Sequence, residues 1–385
     1  MLIYPARLFV LQKQHILPPV PKGKMKMNQP KIKILTLDGG GIRGILPCAI
    51  LAELERRLNK PIAHVFDLMA GTSTGGIIAC GLNIPDSARP GQPKFSAANF
   101  GQLYEKDGGS IFKKRGGLFS GVTQVFEESF GHEGLEELLK QYFGDTELRE
   151  TLSEVLITSY DIEQRKPFYF LSRLAKQQIP GENFRLRDIA RSTSAAPTYF
   201  EPNHLAWNTG KFLALVDGGV FANNPSMLAY TEAIELLRRR SQPAFTPPVP
   251  PVATAGEPGE FEAFTAQAST VESSDFFMLS LGTGHITKPY PYEKAKSWGQ
   301  AQWLRPIIDI LMQGVSETVD YQMRYVLPAV QDGTPQYLRI NPEIPEENAE
   351  MSDVSEKNIA GLQAIAAKAI VDNDQTLDQI CRILS

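Results

Sequence analysis

The motif GTSTGG, residues 71–76, contains the residue best suited to covalent chemistry. It fits the pattern G-x-S-x-G with Ser73 at its centre. An apolar run precedes it and a helical pattern follows it, which is the strand–turn–helix context of a nucleophile elbow. The serine hydroxyl of such an elbow projects at a helix N-terminus, where the helix dipole favours developing negative charge. We therefore predict that Ser73 is a nucleophile, a purely structural turn being the alternative.

A serine nucleophile needs a base. The chain has five histidines: His15, His64, His132, His204 and His285. His285, which follows a predicted strand ending in SLGTG, is the best histidine candidate. Asp217 in LVDGGV is the stronger one, because it ends a predicted buried strand and sites gather at the ends of parallel strands. The two glycines after it let backbone N–H groups approach the carboxylate. Asp-Gly alone is also common turn chemistry.

The stretch LDGGGIRG places Gly39, Gly41 and Gly44 between a predicted strand and a predicted helix. G-x-G-x-x-G in that context is also the dinucleotide-binding fingerprint. No acid ends the second strand as that fingerprint requires, and Asp38 would repel a pyrophosphate at the mouth of the turn. Consecutive glycine N–H groups can instead stabilise an oxyanion. We favour an oxyanion hole at this loop.

Composition indicates a globular protein without a basic field. The chain has 385 residues, 42% of them hydrophobic, and a net charge of −4, which argues against a nucleic-acid partner. No apolar run is long enough to span a bilayer. The cysteines Cys48, Cys80 and Cys381 lack metal-like spacing and suit a reducing compartment. We expect a cytoplasmic protein without a transmembrane segment.

Strand and helix patterns alternate from residue 31 onwards. Strands are predicted at 32–37, 64–70, 154–162, 166–172, 211–217 and 276–284. Helices are predicted at 45–58, 74–82, 185–196, 225–240, 303–323 and 355–370. Buried strands alternating with helices indicate an α/β fold with a mostly parallel sheet covered on both faces. Residues 1–30 are interpreted as a disordered arm or an over-long start, and the Pro/Ala-rich segment 241–274 as a flexible insertion.

With these motifs in order, the sequence resembles the patatin-like lipid acyl hydrolases, and is closer to plant patatins and their bacterial relatives than to the mammalian branch. The family pattern of a DGGGxRG loop, a GxSxG elbow and a later DGG corresponds here to Gly39–Gly44 with its preceding aspartate, Gly71–Gly75 and Asp217–Gly219. FDLMAGTSTGG, STSAAPTYF, LSLGTG and KSWGQAQWL support it. The resemblance covers roughly residues 31–380 and leaves out the N-terminal arm; the insertion departs from the pattern.

The resemblance implies a three-layer α/β/α fold and a Ser–Asp dyad that uses no metal or other cofactor. Ser73 would be the nucleophile and Asp217 the proton acceptor. The backbone N–H groups of Gly39, Gly40, Gly41 and Arg43 would form the oxyanion hole. The substrates would be ester lipids, such as phospholipids, galactolipids or lysolipids, met peripherally at a membrane or micelle surface. Residues 31–385 would form one catalytic domain.

Two rival interpretations stay open at this stage. An α/β-hydrolase would use a Ser73–Asp217–His285 triad in the usual chain order, although the elbow arrives too early in the chain for that fold. A non-catalytic lipid-binding or storage protein would need neither residue. The Arg43 side chain could reach a lipid phosphate or brace its loop, and we favour bracing.

Overall fold

The computed structural model describes residues 29–111, 132–207, 210–241 and 271–385. Its centre is an eight-stranded sheet in the order β5-β6-β3-β2-β1-β7-β8, with β4 pairing with β3 off this path. The strands are β1 Ile32–Leu37, β2 Leu68–Gly71, β3 Glu154–Asp161, β4 Lys166–Leu171, β5 Asn203–Trp207, β6 Lys211–Asp217, β7 Phe276–Leu281 and β8 Tyr337–Ile340.

The helices cover both faces of this sheet. They are α1 Ile45–Leu58, α2 Thr74–Leu82, α3 Ala97–Lys106, α4 Gly108–Ile111, α5 His132–Phe143, α6 Ser172–Lys176, α7 Leu186–Thr193, α8 Gly219–Ala222, α9 Ser226–Ser241, α10 Tyr292–Ala295, α11 Gln300–Val326, α12 Glu356–Asp372 and α13 Asp374–Leu384. Among the described residues, no helix is both long and apolar enough to cross a lipid bilayer.

The sheet is parallel at its centre and antiparallel at one side. β1 pairs in parallel with β2 and β7, β2 with β3, and β7 with β8. The pairs β3–β4, β3–β6 and β5–β6 are antiparallel. The predicted α/β fold with a mostly parallel sheet is therefore confirmed, with a mixed rather than uniform sheet.

Alternating side chains of β1 supply two separate cores. Leu35 and Leu37 belong to a large cluster that includes residues of α1, α3, α7 and α12. Ile32 and Ile34 belong to a second cluster with residues of α9 and α11. Successive strand residues point to opposite faces of a sheet, so one strand can serve both layers. This arrangement is the three-layer α/β/α architecture that the resemblance implied.

Several predicted bounds differ from those observed. The second strand begins at Leu68, because Ile62–His64 form a 3₁₀ turn instead. The helix predicted at 185–196 ends at Thr193. The strands β5 and β8 and the helices α3, α5 and α13 had no prediction, nor had the short helices α4, α6, α8 and α10. The predicted arm and the insertion 241–274 lie almost entirely outside the described residues.

Candidate active site

Ser73 lies at a sharp turn between β2 and α2. Its backbone has φ of 53° and ψ of −126°, a conformation that is rare for residues other than glycine. Such strain persists only where the surroundings fix the backbone. The Ser73 N–H donates to the Thr193 hydroxyl at 2.9 Å, and this hydroxyl donates to the Thr158 carbonyl at 2.7 Å. The turn therefore has the strained geometry expected of a nucleophile elbow, held by α7 and β3.

Gly75 brings the start of α2 against the end of β1. A side-chain carbon on Gly75 would lie 2.2 Å from the Leu37 carbonyl oxygen and 2.8 Å from that of Asp38. Because these obstacles are backbone atoms, they could not move aside as a flexible side chain would. The last glycine of the G-x-S-x-G pattern thus reflects a close approach between the elbow and the loop that follows β1.

Ser73 and Asp217 come together because β3 extends further than β2. β2 pairs with β3 as far as Gly71, which lies opposite Ile157. Further along β3, Ser159 lies opposite Asp217 of β6. Ser73 follows Gly71 by two positions, as Ser159 follows Ile157. Both candidate residues therefore reach the same level at one edge of the sheet.

The reason that led from the sequence to Asp217 was nevertheless wrong. β6 runs antiparallel to β3, so Asp217 is not at the carboxyl end of a parallel strand. It reaches the elbow because β6 ends level with the overhanging part of β3. The strand pattern alone does not distinguish these two arrangements.

Asp217 is buried and lies beside Ser73 in the wall of the same cavity. The Gly219 N–H donates to its Oδ1 at 2.7 Å, and the Ser73 side chain is close enough to lower the pKa of the carboxyl group. Burial raises the pKa of Asp217 to about 6, although Ser73 and the Gly219 N–H oppose this shift. A carboxylate with such a pKa is a stronger base than an exposed aspartate. It is still ionised at neutral pH.

The glycine loop offers two backbone donors at the same place. Gly40 and Gly41 line one cavity together with Ser73 and Asp217. Among the described residues, neither N–H donates to another protein group. Gly39 and Arg43 differ, since the Gly39 N–H donates to the Asn223 carbonyl at 3.1 Å and the Arg43 N–H to the Gly40 carbonyl at 3.2 Å. This corrects the four-donor prediction, because two of its N–H groups are already engaged.

The cavity has a volume of about 170 Å³ and a largely apolar wall. Ser73 and Asp217 provide its reactive polar groups. The remaining wall includes the apolar residues Ile77, Leu135, Pro197, Phe200, Val220, Ile308, Leu311, Met312 and Met351. An apolar pocket with a few convergent polar groups suits a substrate with a hydrocarbon chain and one reactive polar centre.

Residues 35–230 match the family model described as "Patatin-like phospholipase". The chain belongs to this family. Membership implies lipid acyl hydrolase activity, and the matched segment runs from β1 through the elbow and Asp217 into α9. The resemblance inferred from the three glycine-containing motifs is thereby confirmed.

Named relatives agree with this membership over most of their length. "Patatin-like protein 1" of Oryza sativa subsp. indica is 34% identical, with 80% of this chain and 74% of the relative covered. "Patatin-like protein 3" of Arabidopsis thaliana is 30% identical over 92% and 89%. "Probable inactive patatin-3-Kuras 1" of Solanum tuberosum is 32% identical over 80% and 78%. Sequence identity of about 30% is therefore shared also with a relative whose name describes it as probably inactive.

Asp38 of this patatin-like phospholipase domain does not stand at the mouth of the loop. It is buried beneath the loop, where Arg339 of β8 donates to both its oxygens, Nη2 to Oδ2 at 2.6 Å and Nη1 to Oδ1 at 3.2 Å. Burial raises the pKa of Asp38, and the Arg339 guanidinium opposes that shift. The aspartate of the family motif thus anchors the loop through Arg339. It does not stand where it would repel an anion at the mouth of the turn, as the sequence had suggested.

The Arg43 side chain braces the loop in the structure. It is buried, and its Nε donates to the Gly40 carbonyl at 3.2 Å. Together with the bond from the Arg43 N–H, this holds the Gly40 carbonyl on the side of Arg43. The arrangement favours bracing over contact with a lipid phosphate.

The histidines do not join the Ser73 cavity in the described part of the chain. His285 Nδ1 lies 3.1 Å from the Asn341 carbonyl oxygen, and His285 lines a separate, smaller cavity. His64 bonds the Gly91 carbonyl, and His204 stacks on Phe212. His15 and the side chain of His132 lie outside the described residues.

Sequence reasoning missed three residues that shape this site. Thr193 anchors the elbow, Arg339 fixes Asp38, and Asn223 contacts Gly39. Thr193 lies in the STSAAPTYF stretch that supported the resemblance, and Asn223 lies six positions after Asp217, so both were within reach of the motif analysis. Arg339 lies on a short strand with no distinguishing pattern.

Proposed function

We propose that this chain hydrolyses carboxylic esters of membrane lipids through a Ser73–Asp217 dyad. The observation that carries the proposal is the position of Ser73 beside the buried Asp217 carboxylate in the wall of one apolar cavity. A nucleophile placed beside its base is the minimal arrangement for covalent ester hydrolysis.

In the proposed reaction the Ser73 oxygen attacks the ester carbonyl while Asp217 accepts the hydroxyl proton. The N–H groups of Gly40 and Gly41 stabilise the oxyanion as it forms. The alcohol or lysolipid leaves with the proton from Asp217, and the acyl group remains on Ser73. Water then gives a proton to Asp217 and attacks the acyl carbon. The fatty acid leaves, and Ser73 recovers its proton.

The substrates would be phospholipids, galactolipids or lysolipids, reached by peripheral contact with a membrane or micelle. We also propose that residues 31–385 form one catalytic domain. Strands from both ends of the chain, β1 and β8, belong to one sheet, and α12 and α13 pack on α1. No metal or other cofactor enters the proposed reaction.

The test replaces each member of the dyad separately. Ser73→Ala and Asp217→Asn should each lower ester hydrolysis by about 10⁴-fold or more. A fluorophosphonate reagent should label the wild-type chain at Ser73 and leave Ser73→Ala unlabelled. Asp161→Asn is the matched control, because Asp161 is a buried carboxylate at the end of β3 that accepts turn N–H groups; we expect near-normal activity. Near-normal activity of either dyad variant would contradict the proposal.

A Ser73–Asp217–His285 triad is the competing mechanism. In the structure His285 bonds Asn341 and lines the separate cavity, which favours the dyad. His285→Ala should therefore keep most of the esterase activity. A loss comparable to that of Ser73→Ala would favour the triad.

A further inference from the structure

An exposed apolar surface adjoins the mouth of the Ser73 cavity. Trp303, Ile307, Ile310 and Leu311 of α11 are each between 37% and 51% exposed; we call these four residues the α11 patch. At 3.6 residues per turn they fall within an arc of about 100° on one helix face. Large apolar side chains concentrated on one face mark an interaction surface more often than scattered ones do.

The α11 patch is continuous with the cavity. Leu311 belongs both to the patch and to the cavity wall. Val220 of α8 also lines the cavity, and it is 43% exposed at the surface. An apolar molecule could therefore pass from the patch to Ser73 without crossing a polar zone. A surface built for another protein would have no need of this continuity.

Aromatic residues extend the patch at its edge. The rings of Trp303 and Trp298 are 5.0 Å apart, and those of Trp298 and Tyr290 are 5.6 Å apart. The Tyr290 hydroxyl donates to Asp309. Trp and Tyr, which combine an apolar ring with a polar end, are enriched where a protein meets the interface between lipid and water.

Two lysines in the chain segment around Tyr290 and Trp298 are paired with carboxylates. Lys288 pairs with Glu346 and Lys296 pairs with Glu293. Such paired lysines do not form the basic cluster that recognises anionic lipid head groups. The attraction would therefore come from buried apolar area, as in interfacial helices.

We propose that the α11 patch docks on a lipid bilayer and presents the cavity mouth to the acyl chains. This inference rests on the proposed function for its substrate, and it is independent of which residues carry out the hydrolysis. It predicts binding to zwitterionic phosphatidylcholine vesicles that changes little with salt concentration.

Flotation with phosphatidylcholine vesicles tests the proposal, using the Ser73→Ala background so that lipid is not consumed. Ile307→Glu/Ile310→Glu should weaken vesicle binding at least ten-fold. With Ser73 intact, the same pair should leave hydrolysis of a soluble short-chain ester within two-fold of wild type, because neither side chain lines the cavity. Val371→Glu, at a 73% exposed aliphatic residue of α12, is the matched control and should bind normally.

The outcomes separate the alternatives. Unchanged vesicle binding by the double variant would overturn the proposal. So would concentration-dependent dimers that the double variant abolishes while vesicle binding persists, since the patch would then join two copies of the chain. Vesicle binding that depends on the patch in a chain without esterase activity would support the docking surface and contradict the proposed function alone.

A second, independent observation concerns Asn223, which follows α8. It is 6% exposed, and its Oδ1 has no hydrogen-bond partner among the described residues. Its Nδ2 donates to the Ser316 hydroxyl at 3.0 Å. The amide oxygen therefore points the other way.

That oxygen lies beside both members of the dyad. It is 2.5 Å from the point where a side chain on Gly39 would begin, and the Ser73 Cβ is 3.1 Å from the same point. It is 3.4 Å from the corresponding point on Gly219, and Asp217 Oδ1 is 3.1 Å from that one.

The geometry points to Asn223 as a positioning residue for the water that releases the acyl group, a role that rests on the proposed function. One water O–H would donate to Asn223 Oδ1 and the other to Asp217. As the water oxygen bonds to the acyl carbon, its proton passes to Asp217. The bond from carbon to the Ser73 oxygen then breaks, and that oxygen takes the proton. The first step, formation of the acyl-enzyme, needs no water.

Pre-steady-state kinetics with a chromogenic ester separate the two steps. Asn223→Ala should keep the initial burst and slow the steady-state rate at least ten-fold, with acyl-enzyme visible by mass spectrometry. Ser316→Ala removes the partner of Nδ2 and keeps Oδ1, so it should slow turnover far less than Asn223→Ala does. Equal slowing by Ser316→Ala, or normal turnover by Asn223→Ala, would overturn the assignment. No burst and no acyl-enzyme in any form of the protein, wild type included, would instead contradict the dyad mechanism.

Discussion

Arg339 and Asp38 form a buried, two-point ion pair across 301 positions of the chain. Asp38 directly follows β1, and Arg339 lies on β8 at the edge of the same sheet. Arg339 Nη1 also donates to the Ser280 hydroxyl of β7 at 2.7 Å. The pair therefore connects the glycine loop with the two strands on the side of the sheet away from Asp217.

Removing the Arg339 guanidinium should strongly lower the free energy of unfolding. Arg339→Met would leave Asp38 buried without its cation, and breaking a buried pair typically costs about 3–5 kcal/mol. We expect a loss of that size in the free energy of unfolding measured with urea. Arg240→Met, which breaks the exposed pair with Asp67, is the matched control and should cost less than about 1 kcal/mol. If Arg339→Met loses as little unfolding free energy as the control, the burial of Asp38 does not depend on Arg339.

Asp217→Asn should stabilise the protein at alkaline pH while abolishing activity. The pKa of Asp217 is raised by burial to about 6 in the folded chain, from 3.8, so the folded state binds the proton more tightly than the unfolded state. Stability from this group is present below pH 3.8 and is lost as the pH rises through 6. The penalty above pH 6 is about 3 kcal/mol.

Urea unfolding from pH 8 down to pH 5 measures this effect. The stability gain of Asp217→Asn over wild type should be largest at pH 8 and should shrink as the pH falls through 6. A gain that does not depend on pH would mean that the Asp217 carboxylate is not desolvated in the folded chain.

The same pKa sets the acid limit of catalysis. The proposed base works only when ionised, so kcat/KM should fall about ten-fold for each pH unit below about 6. An uncharged, soluble ester is the substrate of choice, because its own ionisation does not contribute. The fall of kcat/KM at acid pH should persist in His285→Ala. If that variant lost the fall, the titrating group would be the histidine and not Asp217.

Gly41→Ala should damage the oxyanion hole. Gly41 has φ of +59°, and a side-chain carbon there would lie 2.3 Å from the Met351 carbonyl oxygen. Moving the loop displaces a donor, and loss of one such donor typically costs about 10²–10³ in rate. Gly91→Ala, also at positive φ but with no atom within 4 Å of the added carbon, controls for backbone strain and should keep its kcat. Normal kcat for Gly41→Ala would exclude the loop from the oxyanion site.

The sequence predicted best where local pattern and motif coincide. The bounds of β1, α1, α2 and β6 agree with the structure at every residue. Each is strongly apolar or periodic, and α1 and β6 are bordered by glycine. The start of β2 was misplaced because His64–Asp67 continue the apolar pattern into a 3₁₀ turn and a bend, and a short apolar run does not reveal its backbone conformation.

Long-range relations of the candidate site were beyond a single sequence. The direction of β6 relative to β3 depends on strand pairing, and the Asp38–Arg339 pair on the placement of a four-residue strand. Engagement of the Gly39 N–H group depends on the Asn223 carbonyl, which the fold brings nearby. A motif can indicate candidate residues, but the backbone N–H groups that remain available to a substrate are identified only from the hydrogen bonds of the folded chain.

The overhang of β3 has a consequence for how the enzyme is assembled. Three residue pairs join β6 to β3, with Ser159 opposite Asp217 at the end. A slip of one residue would turn the Asp217 side chain to the other face of the sheet. Such a molecule would be compact and would still carry its elbow, yet it would have lost its base. Among refolded molecules, the fraction of folded chains that is active would thus report how often β6 pairs with β3 in the correct register.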